Sequence, residues 1–223
     1  MKIKIWGCRG SIPVPLNNKQ YKTKMNSILQ RVKPEYLESE QSRQKYINSL
    51  PFYLKKIIGG NTTCIEIRDE ENNVVIIDTG SGARELGNSL LQEFHPGTQA
   101  EFNILYTHTH WDHICGLMFF APMYIPSFHF TFWSMFDDLK KRLVSQQNAK
   151  FFPIDFEYMA SKKEIRQFPI GKTISINNLK ITSMEMNHPG GCLGYRIEEK
   201  GSVFTFCTDT EFNFDNKDES KKY

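Results

Sequence analysis

The chain has 223 residues, 39% of them hydrophobic and 24% charged, which supplies one buried core and a single domain by default and excludes a disordered or fibrous chain. A formal net charge of +3 is too small to argue by itself for a nucleic-acid partner, and no apolar run reaches the length of a membrane span. Five cysteines, Cys8, Cys64, Cys115, Cys192 and Cys207, are odd in number and lack C-x-x-C spacing, which argues against a disulfide framework or zinc ribbon and for a reducing cytoplasm.

Residues 2–6 alternate and predict a strand, with no apolar stretch like a secretory signal before it. Gly7-Cys8-Arg9-Gly10-Ser11-Ile12-Pro13 then predicts a tight turn. From 16 to about 58 the composition becomes polar, with apolar residues at helical spacing: Met25, Ile28, Leu29 and Val32, then Tyr36, Leu37, Tyr46, Ile47 and Leu50. Pro34 separates two helices or opens the second, and Pro51 breaks the pattern. This segment is expected to be an inserted helical hairpin, either packed on the fold or set over a substrate.

Residues 64–68 alternate as a strand, and 74–77 form a continuous apolar strand ending in Asp78-Thr79-Gly80-Ser81-Gly82. A helix follows over 83–91, which Asp78 could cap. His95 falls in a surface loop.

A buried strand over 102–106 leads into Thr107-His108-Thr109-His110-Trp111-Asp112-His113. Three of the chain's six histidines fall within six positions, with a carboxylate among them. Neutral imidazole and carboxylate are the usual donors for zinc-like metals. On a chain leaving a strand, His108 and His110 face one way, because side chains alternate. Asp112 and His113, past the bend, can face a second point nearby. A short helix is expected over 114–120.

His129 lies in an alternating strand over 128–133 and is read as a strand residue. An amphipathic helix is expected over 135–147, with Lys140-Lys141-Arg142 as a solvated face. Short strands follow over 165–168, 173–176 and 179–184, the last two joined by Asn177-Asn178. They deliver His188 to a glycine-rich turn, and a strand over 203–207 delivers Asp209. Two sheets face to face with helices outside would bury these apolar runs. The tail over 213–223 is polar and expected to be flexible.

His108-x-His110-x-Asp112-His113 resembles the signature of the metallo-β-lactamase-fold superfamily. The longer text through Gly116-Leu117 and Phe119-Phe120-Ala121-Pro122 is similar to its phosphodiesterase and tRNA 3′-endonuclease branch. Gly7-Cys8-Arg9-Gly10-Ser11-Ile12-Pro13 and Asn187-His188-Pro189-Gly190-Gly191 agree with that branch in the expected order. The resemblance implies an αββα sandwich, here with its C-terminal half incomplete. It implies one divalent metal on His108, His110 and His188, a second on Asp112 and His113, and Asp209 between them. Asp78 would hydrogen-bond beneath the histidine turn, Asp112 would orient a metal-bound hydroxide, and Arg9 would contact phosphate or serve the structure. Zinc is the first expectation, with manganese or iron as alternatives, and neither Cys115 nor Cys192 is expected to coordinate. The family's further downstream histidine has no counterpart, since no histidine follows His188, so the second site is expected to be short of a ligand. An exposed sheet edge would suit pairing with a second copy.

The implied function is a metal-dependent phosphodiesterase acting on a small or cyclic phosphodiester. The alternatives are an RNA-processing nuclease of the same fold, hydrolysis of a thioester or amide at the same metals, and a catalytically impaired binding module. No long basic cluster favours RNA at this stage.

Overall fold

The computed structural model describes residues 1–57, 60–95 and 97–211. The tail over 213–223 lies outside them. Among the described residues ten strands form two sheets. The first holds β1 (Lys2–Gly7), β2 (Cys64–Arg68), β3 (Val74–Ile77), β4 (Ala100–Leu105), β5 (Phe128–Ser134) and β6 (Lys162–Gln167), side by side in that order. Pairing is antiparallel from β1 to β3 and parallel from β3 to β6. The second sheet is antiparallel and holds β7 (Thr173–Ile176), β8 (Leu179–Met186), β9 (Cys192–Glu199) and β10 (Ser202–Phe206), in the order β10-β9-β8-β7.

The apolar patterns explain the layers. All four residues of β3 are buried, as expected of a strand covered on both faces. In β5, Phe128, Phe130 and Phe132 are buried and alternate with half-buried His129, Thr131 and Trp133. The three phenylalanines join the outer core with α4 (Ala83–Glu93), whose Ala83, Leu86 and Leu90 fall on one stripe. The inner core between the sheets joins Ile65, Ile67, Val75, Ile77 and Leu105 to Ile181, Leu193, Tyr195 and Ile197. Each such side chain stabilises the fold by about 1.5–3 kcal/mol when fully buried.

Among the described residues no helix packs on the outer face of the second sheet. That face carries exposed Lys180 and Arg196, half-buried Glu198 and exposed Val203. The described residues therefore form three layers, the helical layer with α4, the first sheet and the second sheet.

The segment expected as a helical hairpin contains α1 (Asn18–Leu29), α2 (Glu40–Ser49) and α3 (Phe52–Lys55). Pro34 opens a 3-10 turn, Pro34–Tyr36, and the second helix starts later, at Glu40. The reason is local: the Ser39 hydroxyl accepts from Ser42 N–H at 3.0 Å and caps α2. Asn17 and Gln20 form a reciprocal capping box on α1. Tyr46, Leu50 and Leu54 make a small separate core, with Ile28, Val32 and Tyr36 against it. The segment packs chiefly on itself. No described helix is long and apolar enough to cross a membrane.

Candidate metal centre

The histidine turn starts where β4 ends. Its helix comes earlier than expected: α5 (Trp111–Ile114) begins directly after His110, so Asp112 and His113 are helical residues and Ile114 is the last of them. A 3-10 turn, Leu117–Phe119, follows. Gly116, between them, has no room for a side chain, because a Cβ there would meet the Gly80 carbonyl oxygen at 2.0 Å. Gly80 in turn lies so close that its Cβ would meet the Asp112 carbonyl oxygen at 2.3 Å. Two glycines thus let the turn after β3 pass directly beneath α5.

Asp78 lies in that turn, fully buried, with φ of 57°, a left-handed conformation that Asp tolerates better than most residues. Its Oδ1 accepts from the Thr107 N–H at 2.8 Å and its Oδ2 from the Thr107 hydroxyl at 2.7 Å. Asp78 Oδ2 also accepts from His113 Nδ1 at 2.7 Å. The carboxylate therefore ties the last residue of the strand exit to the helix after it. It does not cap α4, whose N-cap is Gly82 with no side-chain cap bond.

These bonds fix the imidazole tautomers. The Thr107 hydroxyl gives its proton to Asp78, so it accepts from His108 Nδ1, 3.1 Å away. His108 and His113 thus each spend Nδ1 on the turn and aim Nε2 at the same space. Both Nε2 atoms are buried without a hydrogen-bond partner, and buried polar atoms rarely stay so unless something else satisfies them. His188, between β8 and β9, brings Nε2 to 3.0 Å from His110 Nδ1. Asp209, after β10, has a φ of 25° that turns its carboxylate back over the cluster. Its Oδ2 stands 3.5 Å from His108 Nε2, 3.5 Å from His113 Nε2 and 3.8 Å from His188 Nε2. Its Oδ1 accepts from the Thr208 hydroxyl at 2.8 Å.

Two donor groups result. His108, His110, His188 and Asp209 bring one donor atom each to within 4.8 Å of one another, and so do Asp112, His113 and Asp209. These donors, with two orphaned imidazole nitrogens facing a carboxylate, fit divalent cations of the zinc, manganese or iron type. The electrostatics agree. Burial opposes a charge on His113, but Asp78 and Asp209 outweigh it and raise its pKa to about 10. The His108 and His113 imidazoles facing it at 3.5 Å hold the Asp209 carboxyl far below the usual range. The cluster is a place where positive charge is stabilised.

Cysteine belongs to neither donor group. Burial first, then Asp78 and Asp209, push the Cys192 thiol up to about 12, and burial also raises Cys115. Both are neutral thiols, which are poor ligands and poor nucleophiles.

The remaining expected residues fall as follows. Arg9 is exposed; its N–H donates to the Asn61 carbonyl at 2.9 Å, and its backbone bridges to Thr62. No hydrogen bond or ion pair of its guanidinium is found among the described residues. His95 is exposed, and His129 is a strand residue 4.0 Å from Glu101 and from Glu164.

Two contacts were not legible in the sequence. The Ser11 N–H donates to Asp112 Oδ2 at 2.8 Å, so the first loop of the chain braces that carboxylate. Arg142 on α6 (Leu139–Gln146) donates to the Thr109 hydroxyl at 2.9 Å and to Asp138 at 2.6 Å, over the Phe136 ring. The expected solvated face thus sends one arginine into the histidine turn, while Lys140 pairs with Glu157 at 2.8 Å. Only the glycine-rich composition around Ser11 hinted at the first contact, and nothing marked the second.

The second sheet is stitched to this turn by two hydrogen bonds. The Leu193 N–H donates to the Thr107 carbonyl at 2.8 Å and the Tyr195 hydroxyl to the Tyr106 carbonyl at 2.7 Å. They place β9, and with it His188, in register with the histidine turn.

Comparison with known proteins agrees with this architecture. Residues 73–221 match the family described as the Beta-lactamase superfamily domain. Zinc-bound PqqB from Methylobacterium extorquens superposes with a TM-score of 0.56 at 16% identity, over 92% of this chain and 61% of that one. The metallo-beta-lactamase fold protein YhfI from Bacillus subtilis gives 0.53 at 14%, over 96% and 64%. Human tRNase Z, short form, gives 0.53 at 11%, over 94% and 69%. Telomerase component p95 from Tetrahymena thermophila is 32% identical over 72 residues, which is 31% of this chain and 8% of that protein. The chain thus spans less than two thirds of the first two structures and a small part of the ciliate protein. The profile match covers most of the chain and the likeness in structure gives the fold: the chain belongs to the beta-lactamase superfamily and has the metallo-β-lactamase fold.

Proposed function

We propose that the chain is a metal-dependent hydrolase of phosphodiesters. One observation carries the reading: a single oxygen, Asp209 Oδ2, stands between two donor groups, 3.5 Å from His108 on one side and 3.5 Å from His113 on the other. Such an arrangement suits two neighbouring divalent ions, which lower the pKa of bound water and neutralise charge on phosphoryl oxygens. His108, His110 and His188 would hold the first ion, Asp112 and His113 the second, with Asp209 shared. Asp112 has one oxygen tied to the Ser11 N–H, so its carboxylate keeps a fixed direction and can take a proton from an attacking water. Asp78 and Thr107 hold the tautomers that leave Nε2 of His108 and His113 as donors. Trp111, 70% exposed between His110 and Asp112, offers a flat apolar face to an organic group on the phosphate. The neutral thiols leave no cysteine nucleophile at the cluster.

The test is to load the folded chain with zinc or manganese, count metals by elemental analysis, and assay bis(p-nitrophenyl) phosphate against a thioester. Two metals per chain with phosphodiester turnover is the expected result. Preferential thioester turnover would overturn the substrate class. A folded chain with one metal or none and no turnover would favour a binding module, a reading motivated by the second group, where, among the described residues, only Asp112, His113 and shared Asp209 converge.

A further inference from the structure

The net charge of +3 hides a separation. Residues 16–57 carry nine Lys and Arg against three Glu and no Asp, a net of +6, which leaves −3 on the rest of the chain. No acidic residue occurs between Leu16 and Pro34. Among the described residues, Lys33 alone of the nine has a carboxylate within ion-pair distance, Glu35 at 3.9 Å.

The fold gathers part of this charge at one place. α1 and α3 flank an open cleft of about 670 Å³ lined by Lys19, Lys24, Lys56, Gln20, Thr23 and Tyr53, among others, with no carboxylate among the described residues of its wall. The capping box uses the acceptor oxygens of this wall. Asn17 Oδ1 accepts from the Gln20 N–H, and Gln20 Oε1 from the Asn17 N–H. Their amide NH2 groups remain as donors beside the lysines. Exposed Tyr21, Phe52 and Tyr53 lie on the same helices. A second cleft of about 460 Å³ shares Leu16 with the first and runs past Tyr21 to Pro13 and Asn61. That end is the loop whose Ser11 braces Asp112.

We propose that this cleft grips the backbone of single-stranded nucleic acid, so that the substrate of the metal centre is an oligonucleotide rather than a small phosphodiester. The inference rests on the phosphodiester reading above and adds to it a substrate class. The chemistry matches: cations and amide donors for successive phosphates, exposed aromatic rings for unpaired bases, and no acid to repel either. A concave wall favours a strand over a flat membrane surface.

The test is the binding of a labelled single strand with phosphorothioate linkages to the full, metal-loaded chain, followed by fluorescence anisotropy across a salt series. The Lys19→Ala/Lys56→Ala double variant is expected to bind more weakly. Its log affinity against log salt slope should fall by about 1.4, the release of two counterion equivalents from a single strand. Lys19→Arg/Lys56→Arg should restore binding, and Lys180→Ala, on the outer face of the second sheet, should leave it unchanged. Circular dichroism of each variant checks that it is folded. Equal affinity and slope in the wild type and the folded double alanine variant would overturn the proposal. So would binding to phosphatidylserine vesicles with none to the strand. Binding is read without turnover, so a chain that hydrolyses small phosphodiesters but ignores the strand refutes this inference alone. A chain that grips the strand through these lysines but hydrolyses nothing refutes the hydrolase reading alone.

Discussion

The two donor groups differ in how they are built. His108, His110 and His188 come from two sheets, with Asp209 closing over them as a fourth donor. The second group has Asp112 and His113 from one turn of helix and borrows Asp209. The first is held by long-range structure on every side. The second relies on local geometry and on two braces, Ser11 on Asp112 and Asp78 on His113. The shared Asp209 couples the two groups, and that coupling can be broken at chosen points.

Asp209→Asn should have the largest effect, since it removes the charge facing His108, His113 and His188 at once. Metal affinity at both groups and phosphodiester turnover are expected to fall by more than about 100-fold, read by elemental analysis and a chromogenic assay. Retention of both metals would show that Asp209 is not shared. Asp78→Ala leaves the Thr107 amide and hydroxyl and His113 Nδ1 without their acceptor in a dry site. It should cost about 3–5 kcal/mol of stability in urea titration. His113→Ala and His188→Ala should then separate the groups, each losing one metal and keeping the other. Loss of both metals from His113→Ala would mean that the first group cannot stand alone.

A gentler test is pH. In the metal-free protein the proton on His113 stabilises the fold fully below the ordinary histidine value of 6.5, and that stabilisation is lost as pH rises through about 10. A metal at the second group must displace this proton, so its apparent affinity should rise about tenfold per pH unit between those limits. Calorimetric titration at two pH values in one buffer would show it, and a flat profile would remove His113 from the second group. The smallest effect is expected at Arg142→Ala. Its side chain is 36% exposed, so the loss of its bonds to Thr109 and Asp138 should cost at most about 1 kcal/mol, seen as a slight shift in the melting temperature.

How much of this the sequence could reveal follows from distance along the chain. The histidine motif is local: five of its seven residues are donors or hold one, and their spacing is enough to place them at a strand exit. Asp78 and Asp209 stood out because each follows an apolar strand at a place where the resembling family carries a carboxylate. The resemblance implied Asp78 beneath the histidine turn, but not its bonds to Thr107 and His113, which depend on a turn so close to α5 that a Cβ at Gly80 would meet the Asp112 carbonyl oxygen. Ser11 reaches Asp112 across 101 positions and Arg142 reaches Thr109 across 33, and no pattern in either segment encodes the partner. The helix after the histidine turn starts three residues earlier than expected, at Trp111, and the apolar run that suggested it holds a separate 3-10 turn. The lysines of the inserted helices looked scattered, since Lys19, Lys24 and Lys56 meet only when α3 folds back on α1.

The stitching of β9 to the histidine turn has a consequence for how the molecule opens. The Leu193 amide hydrogen is buried and bonded across the two sheets, so it can reach solvent only when the sandwich comes apart. Its exchange with deuterium should report the global unfolding free energy. The α1 amides, on a helix with no buried residue, should exchange through local opening long before. The site and the helices beside it therefore keep different clocks: one can fray and re-form many times within a single lifetime of the other.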